Sequence, residues 1–549
     1  MLFVAGWFLV NRDRHRGAFD AMRVGLMRDL GETMTKQTGD ADRSEQSKGT
    51  YEGVRYEHVG HDYFEKRTLR RYARVGSLWA LGVGAVISGH YSGWNLGLVP
   101  GGFGGFLIAA VVIGIMYVGL CYCLAEMSPA LPHTGAAYSF ARSAMGPWGG
   151  YITGLAENIE YVITPAVITF FIGSYMSGIF GTPDAYQPIW WIVFYGIFLG
   201  LNLLGVELSF RVSVIVTLLA LAILAVFYVS AVPYFDFSRW ALNVGVGPDG
   251  NAIELPQGGG EFLPFGIGGV FAALPFAVWL FLAIEQLPLA AEESHDPKRD
   301  MPKGLLLGIL TLCISATLVT FLNSGIPVTD GTHSGAFYLG TSGEPILDGF
   351  RVTIPGLSSV LSLLAVVGLI ASLHTIIYAG GRQIYSLSRA GYIPRVLSLT
   401  HGKHKVPHVA LIASCTVGFL VMLAVFWWKG PDAGAVIGGT LLNMAVFGAT
   451  ISYGFQAISF ILLRRNLPHI DRPFRSPLGI PGAVLTLAIA VVTLYMQLQD
   501  PVYQYGVYGA AIWYAIGILY FALIGRRKLV YSPEEDFAVK ERQKALGHA

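Results

Sequence analysis

The sequence predicts an all-α polytopic membrane protein. It should hold twelve transmembrane helices, built as a 5+5 inverted repeat with broken helices one and six, plus two extra helices. Three observations predict this. Of 549 residues, 53% are hydrophobic and only 13% charged, against roughly 25% charged in an average soluble domain. Apolar runs of the roughly 20 residues that a bilayer-spanning helix needs recur along most of the chain. Two of those runs, five helices apart, are interrupted near their middle, the pattern of an inverted repeat with a polar site at the bilayer midplane.

The elements follow in order. Residues 1–70 read as an N-terminal cytoplasmic segment, expected to be disordered. Its start, "MLFVAGWFLVNRDRHR", is too short to span, and its charges follow the apolar run, the reverse of a signal peptide. Met1 to about Leu30 reads either as an amphipathic surface segment or as sequence upstream of a natural start at Met34. Residues 34–60 are polar and expected to be unstructured. The first five-helix repeat covers residues 71–232, with spans at 77–99, 105–127, 149–178, 188–205 and 212–232. The second covers 266–463, with spans at 266–290, 304–325, 355–386, 408–427 and 433–463. Helices eleven and twelve lie within 478–524, at 478–497 and 506–524, and residues 525–549 form a cytoplasmic tail.

The first span carries "VISGHYSGWNLGL" at residues 86–98. Gly and Ser there cost helix stability, and the His90 ring is expensive in hydrocarbon. The sixth span, "GVFAALPFAVWLFLAIEQLPLAAEESHDP", contains Pro275, which removes a backbone donor, and Glu285, a carboxylate in an apolar run. A broken helix exposes free N–H and C=O groups in the membrane. Both breaks are therefore expected to touch a bound molecule.

Glu157 and Glu160, in "GLAENIEY" of the third span, stand i, i+3 and share a helix face. One acidic residue at the midplane costs about 2.5–3.5 kcal/mol on insertion scales, so the pair needs compensation. A bound alkylammonium supplies it; the alternative is a carboxyl held protonated by a neighbouring helix. A small cationic amine is the expected partner, and an amino alcohol fits more simply than a substrate with its own carboxylate. His90 either hydrogen-bonds a hydroxyl or is an interior ring satisfied by neighbouring helices.

Arg142, Lys298, Arg299, Arg389, Arg395, Arg464 and Arg472 fall in one set of connections, whereas the opposite set holds Arg239, Arg351 and Lys429. The basic side is expected to be cytoplasmic, with both termini on it. The net charge of +2 is thus an orientation signal and does not point to nucleic acid. Cys121, Cys123, Cys313 and Cys415 lie in spans and read as packing. Glu126, Glu207, Arg211, Arg382 and Arg389 sit near helix ends and read as interfacial ion pairs or gate elements. His374 reads as a packed interior ring, and His401, His404 and His408 as a solvated loop rather than a metal site. The sequence shows no HExxH, GxSxG or cofactor motif, so an enzyme is not expected.

Several stretches together resemble one family. "VISGHY" is similar to a small-residue break in which Ser88 and Gly89 are kept, Ile87 replaces a glycine and His90 an apolar residue. "AEMSPALPHTGAAYSFARSAMGPWGGY", through Glu126, Pro132, Gly135 and Tyr138, together with "NLLGVELSFRV", "EESHDPKRDMPKG" and "YSLSRAGYIP", completes the pattern. It resembles the amino acid–polyamine–organocation transporters over residues 70–525, and "SGHYSGW" with "GLAENIEY" most resembles the bacterial ethanolamine permeases. The resemblance implies a secondary transporter importing ethanolamine by alternating access across the bacterial inner membrane, or an amino acid or polyamine permease of the same fold. It implies a substrate site of Ser88, Gly89, His90, Glu157, Glu160, Trp279, Phe281 and Ala283, with Trp279 capping the substrate. Glu285 takes the gating and proton-coupling position. The sequence leaves proton coupling, uniport and exchange open, and sodium coupling as well; the fifth-span lysine that replaces sodium in some relatives is absent from "VIVTLLALAILAVFY".

Overall fold

The computed structural model describes residues 50, 51, 53–57, 59, 60, 62–430, 434–499 and 504–545. The expectations for residues 1–49 lie outside these. The helices of the bundle are α1 (Val75–Val86), α2 (Leu98–Ala130), α3 (Ala136–Phe180), α4 (Gln187–Leu203), α5 (Val206–Ala231) and α6 (Gly266–Trp279). They continue as α7 (Pro297–Ser324), α8 (Ser358–Arg389), α9 (His408–Lys429), α10 (Gly434–Asn466), α11 (Gly479–Gln499) and α12 (Gln504–Leu523). A last helix, α13 (Pro533–Ala545), follows.

Ten helices of the described residues are long and apolar enough to cross a membrane. The difference from twelve spans is local. α1, with 12 residues, is only the first part of the broken first span, and α4 is short at 17 residues. The chain is an all-α polytopic membrane protein. Two long helices contain a bend that only glycine accepts readily: Gly102 in α2 (φ 63°) and Gly146 in α3 (φ 82°). The first separates the end of the broken first span from the second span, and the second sets residues 136–145 off from the third.

Burial sorts the helices into centre and rim. The apolar stretch of α3 is 83% buried and that of α12 only 11%. α3 packs along α10 and α8, and α6 packs against α2. The rim exposes Ile189, Ile192 and Ile197 of α4, Ile215 and Leu218 of α5, and Ile512 and Ile516 of α12. Apolar side chains facing outward fit a hydrocarbon surround.

One face carries the chain's described ends. Thr50–Tyr51 pairs with Val54–Arg55 as a small hairpin, and Tyr56 bridges to Leu529 just before α13. Residues 62–65 form a helical turn, and Arg67 is buried against Ser398 and the Arg395 carbonyl. The ordered part of the 1–70 segment thus differs from the expected disorder, because its polar groups find partners on the bundle. The opposite face carries the short helices Gly335–Leu339 and Pro345–Thr353.

Candidate functional site

The first break begins at Ile87. Ser88–Tyr91 makes one helical turn, Ser92 is extended, and a 3-10 turn runs from Trp94 to Gly97. The sixth span breaks after Trp279, with Ala283 in the left-handed region (φ 81°), and resumes as a 3-10 helix at Ile284–Glu293. That conformation is uncommon for a residue with a side chain and stores strain at the break. The two breaks meet. A Cβ added at Gly89 would overlap the Trp279 carbonyl oxygen, so only glycine permits the approach.

The backbone groups released by the breaks are taken up by side chains. His90 Nε2 lies 3.0 Å from the Leu280 carbonyl, and its Nδ1 lies 2.8 Å from Ser315 Oγ. The carbonyl only accepts, so Nε2 donates and Nδ1 accepts from the serine hydroxyl. Trp279 Nε1 donates to the Ser92 carbonyl at 3.0 Å, and Tyr175 donates to the Tyr91 carbonyl at 2.7 Å. Ser88 N–H donates to Ser372 Oγ at 2.9 Å. In a membrane interior such bonds replace the missing water. His90 therefore ties the two breaks together with both ring nitrogens engaged.

The carboxylates are a different matter. Glu157, Glu160 and Glu285 are each at most 1% exposed. Both oxygens of Glu157, both of Glu160 and Glu285 Oε2 lack a hydrogen-bond donor. Glu285 Oε1 accepts from the Ala283 N–H at 3.1 Å. Glu160 and Glu285 are electrostatic neighbours, and Tyr453 of α10 lies near both. Tyr117 of α2 donates to the Tyr453 hydroxyl at 2.8 Å. Glu157 and Tyr161 complete the cluster. Burying a carboxylate without a paired cation is expensive, so an arrangement of this kind has the chemistry to take up a positive charge.

The expected residues thus fall into two groups. Ser88, Gly89, His90 and Trp279 form the contact between the breaks, while Glu157, Glu160 and Glu285 gather at the start of the 284–293 helix, next to Ala283. Phe281 stands between them. Its ring packs on Tyr117, with centroids 5.5 Å apart, and lines an apolar cavity of about 590 Å³ among α2, α7 and α11. Tyr117 and Tyr453 were not among the expected residues. A hydroxyl within "IMYVG" and "ISYGF" of otherwise apolar spans is the signal that points to them.

The helix-end charges are ion pairs, as expected of them. Glu126 meets Arg464 at 2.5 Å, Glu207 meets Arg211 at 2.6 Å, and Arg382 meets Glu293 at 3.0 Å. Arg389 joins Glu292 at the end of the sixth span to Glu534 of α13. His374 is buried in bonds to Asn202 and Ser209.

Comparison with known proteins adds the family. A profile described as amino acid permease matches residues 78–535. An uncharacterised transporter of Rhizobium meliloti is 28% identical over 78% of this chain and 87% of its own length. A branched-chain amino acid permease of Bacillus subtilis is 24% identical over 84% of this chain and 94% of its own. The gamma-aminobutyric acid permease of Escherichia coli is 25% identical over 75% and 85%.

Proposed function

Because the chain belongs to the amino acid permease family, we propose that it is a secondary transporter for a small organic amine, ethanolamine first among them. One observation carries the reading: three buried carboxylates gather at the sixth-span break with five oxygens lacking a donor. An alkylammonium brings both the charge and the N–H donors that those oxygens lack. A ligand without its own carboxylate suits this site, since like charges close together cost several kcal/mol. The Ser88 N–H, an amide of the first break, is already engaged by Ser372. The second reading is an amino acid permease, favoured by the named activities of the Bacillus and Escherichia relatives.

In the proposed cycle, two five-helix repeats at 71–232 and 266–463 rock around the broken segments. Gln286 Nε2 donates to the Leu81 carbonyl at 3.3 Å, and the Glu293 carbonyl accepts from Tyr72 and Ala73. These bonds support joint movement of α1 and the 284–293 helix. The Lys and Arg distribution supports a cytoplasmic position for the face that carries 50–74 and α13, in a bacterial inner membrane. The purified chain in proteoliposomes should show saturable uptake of labelled ethanolamine. Unlabelled ethanolamine should compete far better than leucine, gamma-aminobutyrate or putrescine. Competition by leucine or gamma-aminobutyrate at equal concentration would favour the second reading.

A further inference from the structure

Resting on the alternating-access cycle, whichever amine is carried, we infer that Glu534 of the C-terminal helix α13 is a positioning residue of that cycle. It is the standing counter-charge of Arg389, and it keeps that arginine paired when Glu292 lets go. The tail thereby takes part in opening the face that carries the chain's described ends, without touching the substrate.

Arg389, at the end of α8, stands between two carboxylates. It donates to both oxygens of Glu292, at 2.6 and 2.9 Å, and to one oxygen of Glu534 at 2.5 Å. Glu292 lies near the end of the 284–293 helix, beyond the sixth-span break, and its side chain is 23% exposed. The Glu534 side chain is fully buried. One carboxylate can therefore leave to water, and the other cannot. The neighbouring pair lacks this arrangement: Arg382 meets Glu293 at 3.0 Å and no second carboxylate among the described residues.

α13 is held in place independently of Arg389. Glu535, next to Glu534, accepts from Tyr56, Arg142, Tyr392 and Tyr138 at 2.5, 2.6, 2.8 and 3.1 Å. Tyr138 and Arg142 belong to the start of α3 and Tyr392 follows α8, so the tail is fixed to elements outside the broken spans. Phe537 adds a ring contact with His133, centroids 5.5 Å apart. The 284–293 helix is joined instead to the chain before α1, where the Glu293 carbonyl accepts from Tyr72 and Ala73. Movement of the broken spans therefore carries Glu292 away and leaves Glu534 where it is.

The atoms needed for the exchange of partners are free. Glu534 Oε1 also accepts from Ser386 Oγ at 2.9 Å, whereas Glu534 Oε2 and Arg389 Nε are buried without a partner. When Glu292 departs, the N–H groups that it held can turn to Glu534 Oε2. That gives the two-point pairing which a guanidinium and a carboxylate make best. Without Glu534, the same departure strands a buried guanidinium, the costly result of breaking a buried ion pair. Two carboxylates on one arginine also repel each other, so Glu534 loosens the grip on Glu292. On both counts Glu534 eases opening, the opposite of a brace.

The test uses the full chain, in proteoliposomes with labelled ethanolamine and substrate-free in detergent for amide exchange. Glu534→Gln should lower the maximal uptake rate at least about tenfold, while half-saturating ethanolamine stays within about twofold. Glu292→Gln added to Glu534→Gln should bring the rate back to within about threefold of the unaltered chain, since Arg389 then loses nothing on opening. A side chain that only braces the fold gives a second loss on top of the first, and that result overturns this role. In the substrate-free chain, Glu534→Gln should slow exchange of the 284–293 amides at least about threefold and leave those of 533–545 unslowed. Faster exchange in both segments overturns it as well. If Glu534→Gln fails to elute as a single species, Glu292→Gln alone decides. It should melt within about 3 °C of the unaltered chain, because Arg389 keeps Glu534. A larger fall shows that Glu534 cannot hold Arg389 by itself and overturns the role. Absence of saturable ethanolamine uptake in the unaltered chain overturns the amine reading, and amide exchange and melting then decide for Glu534 by themselves.

Discussion

At the scale of single residues, the contact between the breaks depends on the smallest side chain. Gly89 lies against the Trp279 carbonyl, a backbone atom that cannot rotate away. Gly89→Ala forces the two broken spans apart, and overpacking of this kind costs about 1–3 kcal/mol. It should also lengthen the bond from His90 to the Leu280 carbonyl and that from Trp279 to the Ser92 carbonyl. The expected outcome is a lower melting temperature and at least a tenfold fall in ethanolamine uptake rate. Gly76→Ala, thirteen residues earlier in α1 where nothing stands within 4 Å of the added carbon, should leave both unchanged. Equal effects from the two substitutions would remove the contact from the mechanism.

At the scale of elements, some of this was readable in the sequence and some was not, for a physical reason. The breaks could be read locally, since Ser88–Gly89 and Ser92–Gly93 disrupt a helix by their own composition. The Glu157–Glu160 face could be read from helical spacing alone. The tyrosines beside those carboxylates were hidden, because Tyr453 reaches Tyr117 from 336 residues away. α13 was hidden in the same manner. Its "PEED" start falls in the stretch expected to be a cytoplasmic tail, yet Glu535 is 0% exposed and meets Arg142 at 2.6 Å across 393 residues. Tyr56, Tyr138 and Tyr392 also donate to Glu535. Glu535→Gln leaves a buried guanidinium without its anion, and breaking such a pair costs about 3–5 kcal/mol. Asp536→Asn, one position on, removes only an exposed pair with Lys540 and should cost less than about 1 kcal/mol. Thermal unfolding of the two variants in detergent should separate them clearly; similar losses would mean that α13 does not brace the bundle through Glu535.

At the scale of the whole molecule, the two faces are closed by different chemistry. On the face that carries the chain's described ends, Arg389 and Arg142 are locked to Glu292, Glu534 and Glu535. On the opposite face, the turn at 339–343 sits on the first break. Asn95 donates to the Leu339 and Ser342 carbonyls at 2.6 and 2.8 Å, and Ser92 donates to the Gly343 carbonyl at 2.8 Å. Glu344 follows that turn, outside the spans, and packs against the end of α3 at Gly178. Burial, together with nearby Asp348, pushes its carboxyl up to about 7, although Arg351 pulls the other way. A carboxyl whose folded value lies above its unfolded value keeps a proton that the unfolded chain has already lost. Stability therefore falls as pH rises from about 4.5 to about 7 and levels off above, by on the order of 3 kcal/mol from this group. Glu344→Gln should flatten that part of the melting-temperature profile and raise the value at pH 8. The amide hydrogens of residues 335–353 should also exchange faster at pH 8 than at pH 5.5 once the intrinsic rate is corrected, with the difference lost in the variant. An unaltered slope in Glu344→Gln would leave the three buried carboxylates of the core as the source of the pH dependence and would make both closures insensitive to pH.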